Sequence, residues 1–289
     1  MTYRSVFREG LFAGKVVIVT GGGSGLGRCT AHELASLGAT VALLGRNAEK
    51  LELVRAEIEE DGGMATAHVC DIRDESAVSA TVDSVLSSCG KIDGLVNNAG
   101  GQYRSRLAQI TTKGFEAVVR NNLTGTFIIS REVYNRSMQN HGGSIVNIIA
   151  DIWHGWPIYG HSGAARAGVL NITETAACEW ASSGVRVNAV APGVFASSGL
   201  DTYPPDVKPA ILKRPLKIPL QRFGTESEIS AAIVFLLSPA ASFITGACLR
   251  VDGGAPNVRQ DWELEAHAKS QPFEGFHRSV RPGLLGDSS

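Results

Sequence analysis

Short apolar runs and longer amphipathic stretches alternate along this chain. Residues 15–20 (KVVIVT) are β-branched without polar alternation, the pattern of a strand buried on both faces. A Gly-rich turn follows, then helical periodicity over 26–37, closed by Gly38. Residues 40–44 form a second apolar strand that ends at Gly45-Arg46. Asn47 suits the N-cap of a helix running to about residue 60, where Gly62 and Gly63 stop it. The same reading predicts strands at 65–69, 92–96, 144–149, 185–190 and 248–251. It predicts helices at 74–88, 111–139, 162–182 and 226–237. Repeated strand–helix alternation gives a parallel sheet with helices on both faces.

Right-handed crossovers make such a sheet doubly wound, so the predicted class is α/β with one Rossmann-type sheet of seven strands. A chain of 289 residues with 44% hydrophobic residues suits a single domain over 1–289. Its core is expected at about 14–254, with an N-terminal arm at 1–13 and a C-terminal tail at 255–289. The tail is polar and is expected to pack on a neighbour or stay loosely ordered. Residues 196–220 are irregular and carry Pro204, Pro205, Pro209, Pro215 and Pro219. They follow strand six, where such folds place ligand-covering loops. Lysines and arginines number 27 against 28 acids, which argues against a nucleic-acid or anionic-membrane binder. No apolar run approaches the ~20 residues of a membrane span. The N-terminus lacks a secretory h-region and the C-terminus lacks a peroxisomal tripeptide, so a cytoplasmic protein is expected. Five scattered cysteines without CxxC spacing read as reduced thiols, and no metal-ligand spacing is present.

The run TGGGSGLG at 20–27 joins strand one to helix one. Glycines there let the backbone approach a pyrophosphate, and the helix N-terminus attracts its charge. Alone, such a loop also fits a tight turn without ligand. Further pieces stand in register with it: Asp71 in CDIRD, NNAG at 97–100, Asn122 in NNLTGTF, Pro192-Gly193 and VDGG at 251–254. With these, the chain resembles the short-chain dehydrogenase/reductase family over about residues 14–254. The resemblance implies an NAD(P) cofactor held by Gly21, Gly23, Ser24, Gly25, Leu26 and Gly27. It implies Asp71 and Ile72 beside the adenine, and Asn98, Ala99 and Gly100 along the cofactor. Pro192, Gly193 and Val194 would face the nicotinamide amide, and Arg166 the nicotinamide ribose. A homo-oligomer, a tetramer in this family, is implied too. Strand two ends in Gly45-Arg46-Asn47 with no acid. A carboxylate there would bind a ribose 2′-OH, whereas Arg46 suits a 2′-phosphate, so NADP(H) is predicted, with NAD(H) the alternative.

The family's usual Ser after strand five and Tyr-x-x-x-Lys on the next helix are missing. Strand five ends Asn147-Ile148-Ile149-Ala150. Registering Arg166-Ala167-Gly168 on the usual Lys-Ala-Ala puts Ser162 in the Tyr slot and Arg166 in the Lys slot. Arginine stays protonated and cannot shuttle protons near neutrality, and a serine without a base is a poor acid.

The departure itself is similar to a branch of the family. NIIA…HSGAARAG and LLSPAASFITG resemble the peroxisomal trans-2-enoyl-CoA reductases and, more loosely, the 2,4-dienoyl-CoA reductases. Other segments resemble a bacterial dehydrogenase of citronellol and geraniol catabolism. These resemblances imply hydride transfer to a C=C conjugated with a thioester, with an acyl-CoA or related small molecule as substrate. Arg166 and Asn122 suit stabilisation of the developing enolate. Candidates for the proton donor are Asp151, Tyr159, His154 and His161, the histidines reading rather as surface or supporting groups. Trp153, Trp156, Phe195 and Tyr203 could wall an acyl tunnel. Lys208, Lys213, Arg214 and Lys217, set against Asp201 and Asp206, form a solvated face or a landing strip for coenzyme A phosphates. Two other functions stay open: an alcohol or 3-hydroxyacyl dehydrogenase using Asp151 or Tyr159, and a non-catalytic NAD(P)-binding protein.

Overall fold

The computed structural model describes residues 2–259 and 261–286. Seven strands form one all-parallel sheet in the order β3-β2-β1-β4-β5-β6-β7. They are β1 (Val16–Thr20), β2 (Thr40–Gly45), β3 (Met64–Val69), β4 (Gly94–Asn97), β5 (Gly143–Ile148), β6 (Val185–Pro192) and β7 (Cys248–Val251). The main helices are α1 (Gly25–Ser36), α2 (Ala48–Glu60), α3 (Glu75–Cys89), α4 (Thr112–Val119), α5 (Gly125–Val133), α6 (Gln139–His141), α7 (Gly160–Glu179), α8 (Lys208–Leu212) and α9 (Glu226–Leu237). The predicted doubly wound α/β class is the observed one.

β1 shows why its sequence has no polar alternation. Val17 and Val19 pack with Leu34, Val54 and Ile233 from α1, α2 and α9. Val16 and Ile18 pack on the opposite face with Val82, Ile129 and Ala177 from α3, α5 and α7. Both sides of the strand are therefore core, as all-parallel sheets require. The strand order reverses between β1 and β4, so the chains leaving them diverge and open a crevice at their C-terminal ends. No helix among the described residues is long and apolar enough to cross a membrane.

Three local differences from the sequence reading bear on the site. The helix expected at 111–139 is interrupted by π-helical turns at Arg120–Thr124 and Tyr134–Met138. Thr126 Oγ1 donates to Asn122 O at 2.9 Å and Ser130 Oγ to Thr126 O at 2.7 Å. Hydroxyls that bond carbonyls four residues back loosen and bend helices. Next, α7 begins at Gly160 rather than 162, with Tyr159 at its N-cap position. Last, β6 continues to Pro192, which pairs with Val251. Beneath the crevice a buried amide chain ties sheet to helices. Asn97 Nδ2 donates to Ser130 Oγ at 2.8 Å and Asn147 Oδ1 at 2.7 Å, and Asn147 Nδ2 donates to Thr173 Oγ1 at 2.8 Å.

The expected tail does not need a neighbour to pack on. Residues 260 and 287–289 of it lie outside the described residues, but the rest straps the chain's own α1, α2 and α9. Phe273 O accepts from Thr225 Oγ1 at 2.7 Å, and Phe276 N–H donates to Ser227 Oγ at 3.0 Å. Arg278 pairs with Asp61 and Glu60. The N-terminal arm joins it, with Arg4 N–H on Gly275 O at 2.9 Å. The Phe276 ring is buried against Tyr3 and His32, with the Arg28 guanidinium 5.0 Å from its centroid.

Truncating a buried phenylalanine typically removes ~3 kcal/mol or more. Phe276→Ala should therefore lower the urea midpoint and open the tail to limited proteolysis, while an unchanged midpoint would mean the strap adds no packing.

Candidate active site

The Gly-rich turn has the shape of an anion cradle. Gly21 and Gly25 hold φ of +66° and +54°, where side chains are strained. A Cβ at Gly27 would sit 2.3 Å from Gly21 O and 2.5 Å from Asn98 Nδ2. Side chains of Asn47, Asp74, Thr111 and Thr225 cap α2, α3, α4 and α9, but Ser24 makes no cap bond at the start of α1. The first N–H groups of α1 thus stay open to a ligand. These residues fit a dinucleotide.

A cleft runs from this turn across the ends of β2 and β3. Of the predicted cofactor residues, Gly21, Gly23, Ser24, Arg46, Asp71, Ile72, Ala99 and Gly100 line it. Lys50 and Asn121 line it too and were missed by the sequence reading. Lys50 was legible, one turn past the Asn47 cap. Neither the Arg46 nor the Lys50 side chain has an ion-pair partner among the described residues. Asp71 is already engaged: the Arg73 guanidinium hydrogen-bonded to it holds its carboxyl down at about 2.

Gly25, Leu26, Gly27, Asn98, Pro192, Gly193, Val194 and Arg166 do not line the cleft. Asn98 works from behind, its Nδ2 donating to Thr20 O at 3.1 Å and Gly21 O at 3.3 Å. Gly193 sits where a Cβ would meet Asp252 Cα at 2.6 Å.

Arg166 lies deeper, on α7. It is 8% exposed, and Nη1 donates to Ile148 O at 2.5 Å. No carboxylate lies within ion-pair distance of it among the described residues. Burial pulls its pKa down to about 10, so it remains charged at neutral pH. Its guanidinium presses on the chain leaving β4: a Cβ at Gly100 would lie 2.3 Å from Arg166 Nη2 and 2.6 Å from Asn122 Oδ1.

Asn122 does not have the free donor expected of an enolate stabiliser. Its Nδ2 already donates to Gly101 O at 2.7 Å and Val118 O at 3.0 Å, and Oδ1 accepts from Gly101 N at 3.1 Å. One amide hydrogen and the amide oxygen hold Gly101, and the second hydrogen is spent on the Val118 carbonyl of α4. Ser162 is buried, and its hydroxyl donates to Gln102 Oε1 at 2.8 Å. Gln102 carried no sequence signal, because the bond spans 60 residues.

Asp151 lies three residues past the Ile148 carbonyl that Arg166 holds. Its Oδ1 is buried without a hydrogen-bond partner among the described residues. Burial, then the nearby Asp252 carboxylate, pushes its pKa up. Tyr159 is buried, and its hydroxyl donates to Tyr203 Oη at 3.4 Å. Burial raises that phenol strongly, so it stays protonated. The preceding Ile158 has φ of +65°, an outlier for a β-branched residue. Ser105 N–H on Ile158 O at 2.9 Å holds this turn. His154 is exposed. His161, read as a surface or supporting group, is fully buried: its Nδ1 accepts from Ser162 N–H at 2.9 Å, and its Nε2 has no partner among the described residues.

The four expected wall aromatics divide. Trp156 packs on Tyr159 with centroids 5.1 Å apart, and Tyr203 joins them through its hydroxyl. Trp153 instead lies under Arg250, and Phe195 packs on the core while bridging to Gly224. That bridge closes the base of the irregular flap at 196–220. In the flap Lys213 and Lys217 are exposed, and Asp201 accepts from the Gly283 and Leu284 N–H groups of the tail.

Residues 21–256 match the family described as enoyl-(acyl carrier protein) reductase. The citronellol catabolism dehydrogenase (AtuB) of Pseudomonas aeruginosa PAO1 superposes with a TM-score of 0.79 at 56% identity, covering 88% of this chain and 99% of that one. A probable 2,4-dienoyl-CoA reductase of Bacillus subtilis (strain 168) is 38% identical over 243 residues, 83% of this chain and 96% of its own. The 3-oxoacyl-[acyl-carrier-protein] reductase FabG of Thermotoga maritima is 35% identical over 246 residues, 83% and 97% of the two chains. The chain belongs to the short-chain dehydrogenase/reductase family, and its fold and site are those of an oxidoreductase using an NAD(P)-type cofactor.

A methyl at Gly100 has no room, because Arg166 and Asn122 are both buried and bonded. Misplacing reacting groups by about 1 Å costs ~10²-fold. Gly100→Ala should therefore depress NAD(P)H oxidation by about that factor with a modest change in melting temperature. Undiminished turnover would show that the loop yields.

Proposed function

We propose that the protein is an NADP(H)-dependent reductase of the C=C bond in a 2-enoyl-CoA or related dienoyl or terpenoid acyl-CoA. One observation carries this reading: a buried, unpaired guanidinium at Arg166 stands where the family keeps a proton-relaying lysine, and Ala150 and Ser162 stand where it keeps its hydroxyls. Carbonyl reduction needs a group that delivers a proton to the alcohol oxygen. Conjugate reduction needs a fixed cation for an enolate oxygen and a separate proton for the α-carbon. The bound nicotinamide supplies the hydride that reaches the β-carbon. Arg166 then faces negative charge on the thioester oxygen without the counter-ion that would quench its field. Asn122 acts as a positioning residue, fixing the loop at 100–101 against Arg166. Asp151, whose carboxyl keeps its proton to higher pH than usual, supplies the α-carbon proton. Tyr159, bonded to Tyr203, and Ser162, bonded to Gln102, serve as buried packing groups.

The relatives point the same way, with a probable 2,4-dienoyl-CoA reductase and a citronellol catabolism dehydrogenase among them. The FabG relative favours the second reading, reduction of a 3-oxoacyl group with Asp151 or Tyr159 as the working group. The coenzyme reading rests on Arg46 and Lys50, two cations at the cleft rim without ion-pair partners among the described residues, and on the absence of an acid at the end of β2. A single domain with terminal arms, assembled as a cytoplasmic homotetramer, completes the proposal by family resemblance.

NADPH oxidation over a panel of 2-enoyl-CoAs, 2,4-dienoyl-CoAs, 3-oxoacyl-CoAs and simple aldehydes tests the reaction. Turnover confined to the conjugated thioesters is expected. Preference for 3-oxoacyl substrates would install the second reading, and no turnover at all would favour a non-catalytic binder. In the same assay Arg166→Met should lose ~10²-fold or more in kcat, as removal of a preorganised donor does elsewhere. Arg166→Lys should recover part of it, since the charge survives and the planar fork does not.

For the coenzyme, a hydrogen bond between charged groups is worth ~1.5–3 kcal/mol, so NADPH should bind roughly tenfold or more tighter than NADH. Arg46→Asp should reverse the order. Equal affinities in the wild type would remove the assignment.

A further inference from the structure

Two carboxylates are buried where α1 meets α9, and they are treated very differently. Glu33 is 0% exposed and accepts hydroxyls from Tyr3 at 3.1 Å, Ser5 at 2.7 Å and Ser230 at 2.5 Å. It is a satisfied structural group. Glu226, the first residue of α9, is 8% exposed and receives no hydrogen bond among the described residues. Its Oε1 would lie 3.7 Å from a Cβ built on Gly25, the first residue of α1. Two helices therefore begin side by side here, and the positive ends of both act on the same small region.

The groups around Glu226 leave it without a counter-ion. Among the described residues, Arg28 is the only cation whose field reaches it appreciably. Both arms of Arg28 are held elsewhere, by Glu57 at 2.8 Å and 2.8 Å and by Arg278 O at 3.1 Å. Also from α1, burial keeps the Cys29 thiol neutral, and His32 is engaged by Glu57 and Asp61. From the arm, burial keeps Tyr3 neutral. Further along α9, Glu228 is paired with Arg222. From the tail, His277 and Arg278 are turned to Asp61.

We propose that Glu226 is a further member of the dinucleotide site, one that must take up a proton before the cofactor's pyrophosphate can settle on the α1 N-terminus. The physical reason is competition. An ionised Glu226 is an internal anion next to Gly25, the first residue of α1, and a second anion at that helix start meets its repulsion. Protonation removes the competitor. Burial holds the Glu226 carboxyl well above the usual range, at about 7, so the switch falls within physiological pH. A bound pyrophosphate raises it further. Proton uptake therefore accompanies binding above about pH 7, and affinity declines as pH rises from the free toward the bound value, while below about pH 7 it is flat.

The inference rests on the loop at 20–27 being the dinucleotide site, and its test reads binding, not turnover. NADPH and NADH are titrated into the full chain at about pH 6.5 and pH 8.5, NADH serving as the probe without the 2′-phosphate that itself titrates near 6. Affinity for both should fall about tenfold between these values in the wild type and stay within about twofold in Glu226→Gln, which should bind more tightly than the wild type at the higher pH. Calorimetry in buffers of different ionisation enthalpy should show proton uptake near pH 7.5 in the wild type, a measurement that needs no variant. Equal pH slopes in the two proteins, or a wild type that takes up no proton, would overturn the role of Glu226 and leave the site reading intact. Failure of both nucleotides to bind at either pH would overturn both.

Discussion

One hydroxyl holds the functional end of the sheet together. Thr20 Oγ1, at the tip of β1, donates to Val96 O at 3.2 Å and accepts the N–H groups of Asn98 at 3.0 Å and Ala99 at 2.9 Å. Asn98 returns its amide to the carbonyls of Thr20 and Gly21. This knot lies at the point where the strand order reverses, so it sets the width of the crevice between the Gly-rich turn and the chain leaving β4. On one side it presents the uncapped start of α1. On the other it delivers Ala99 and Gly100 to the cleft and Gly101 to Asn122. Both halves of the site inherit their relative position from it.

The deeper half is organised around a buried charge. A desolvated guanidinium without a carboxylate is costly, and proteins usually pair such groups. Arg166 has the Ile148 carbonyl and little else. Its stability therefore comes from rigid surroundings: the small residue at 100, the two-handed grip of Asn122 on Gly101, and the π-helical turn that positions Asn122. Leaving the charge uncompensated keeps its field available to a ligand. Glu226 is the contrasting case, a buried acid without a hydrogen bond among the described residues whose charge, under the proposal above, has to be removed for the ligand, while Glu33, satisfied by three hydroxyls, is a structural buried acid.

The arm and the tail enlarge the family core without adding a layer to it. Phe276, His277 and Arg278 cover the outer face of α1 and the end of α2, and the tail then reaches Asp201 in the flap. Ties of that kind couple the flap to the far side of the nucleotide site. The flap itself is stitched at its base by the pairing of Phe195 with Gly224.

Sequence alone determined the layered architecture, because strand and helix periodicities and the glycines that end them are local properties. The seven strands and the glycine-rich turn that ends the first of them were legible for that reason. The acid-free end of β2 was legible as well. What tertiary structure decided was which polar atoms are already occupied. Asn122 reads as a donor in sequence, yet Gly101, 21 residues away, takes its amide. Asp61 and Arg278 are 217 positions apart, so no spacing announces the strap they secure. Lys50 came to line the cleft, Gln102 came to hold Ser162, and Arg166 was left without a carboxylate among the described residues only once distant segments were brought together. Hydrogen-bond satisfaction and burial depend on everything within a few ångströms, and that neighbourhood exists only after the sheet has closed around it.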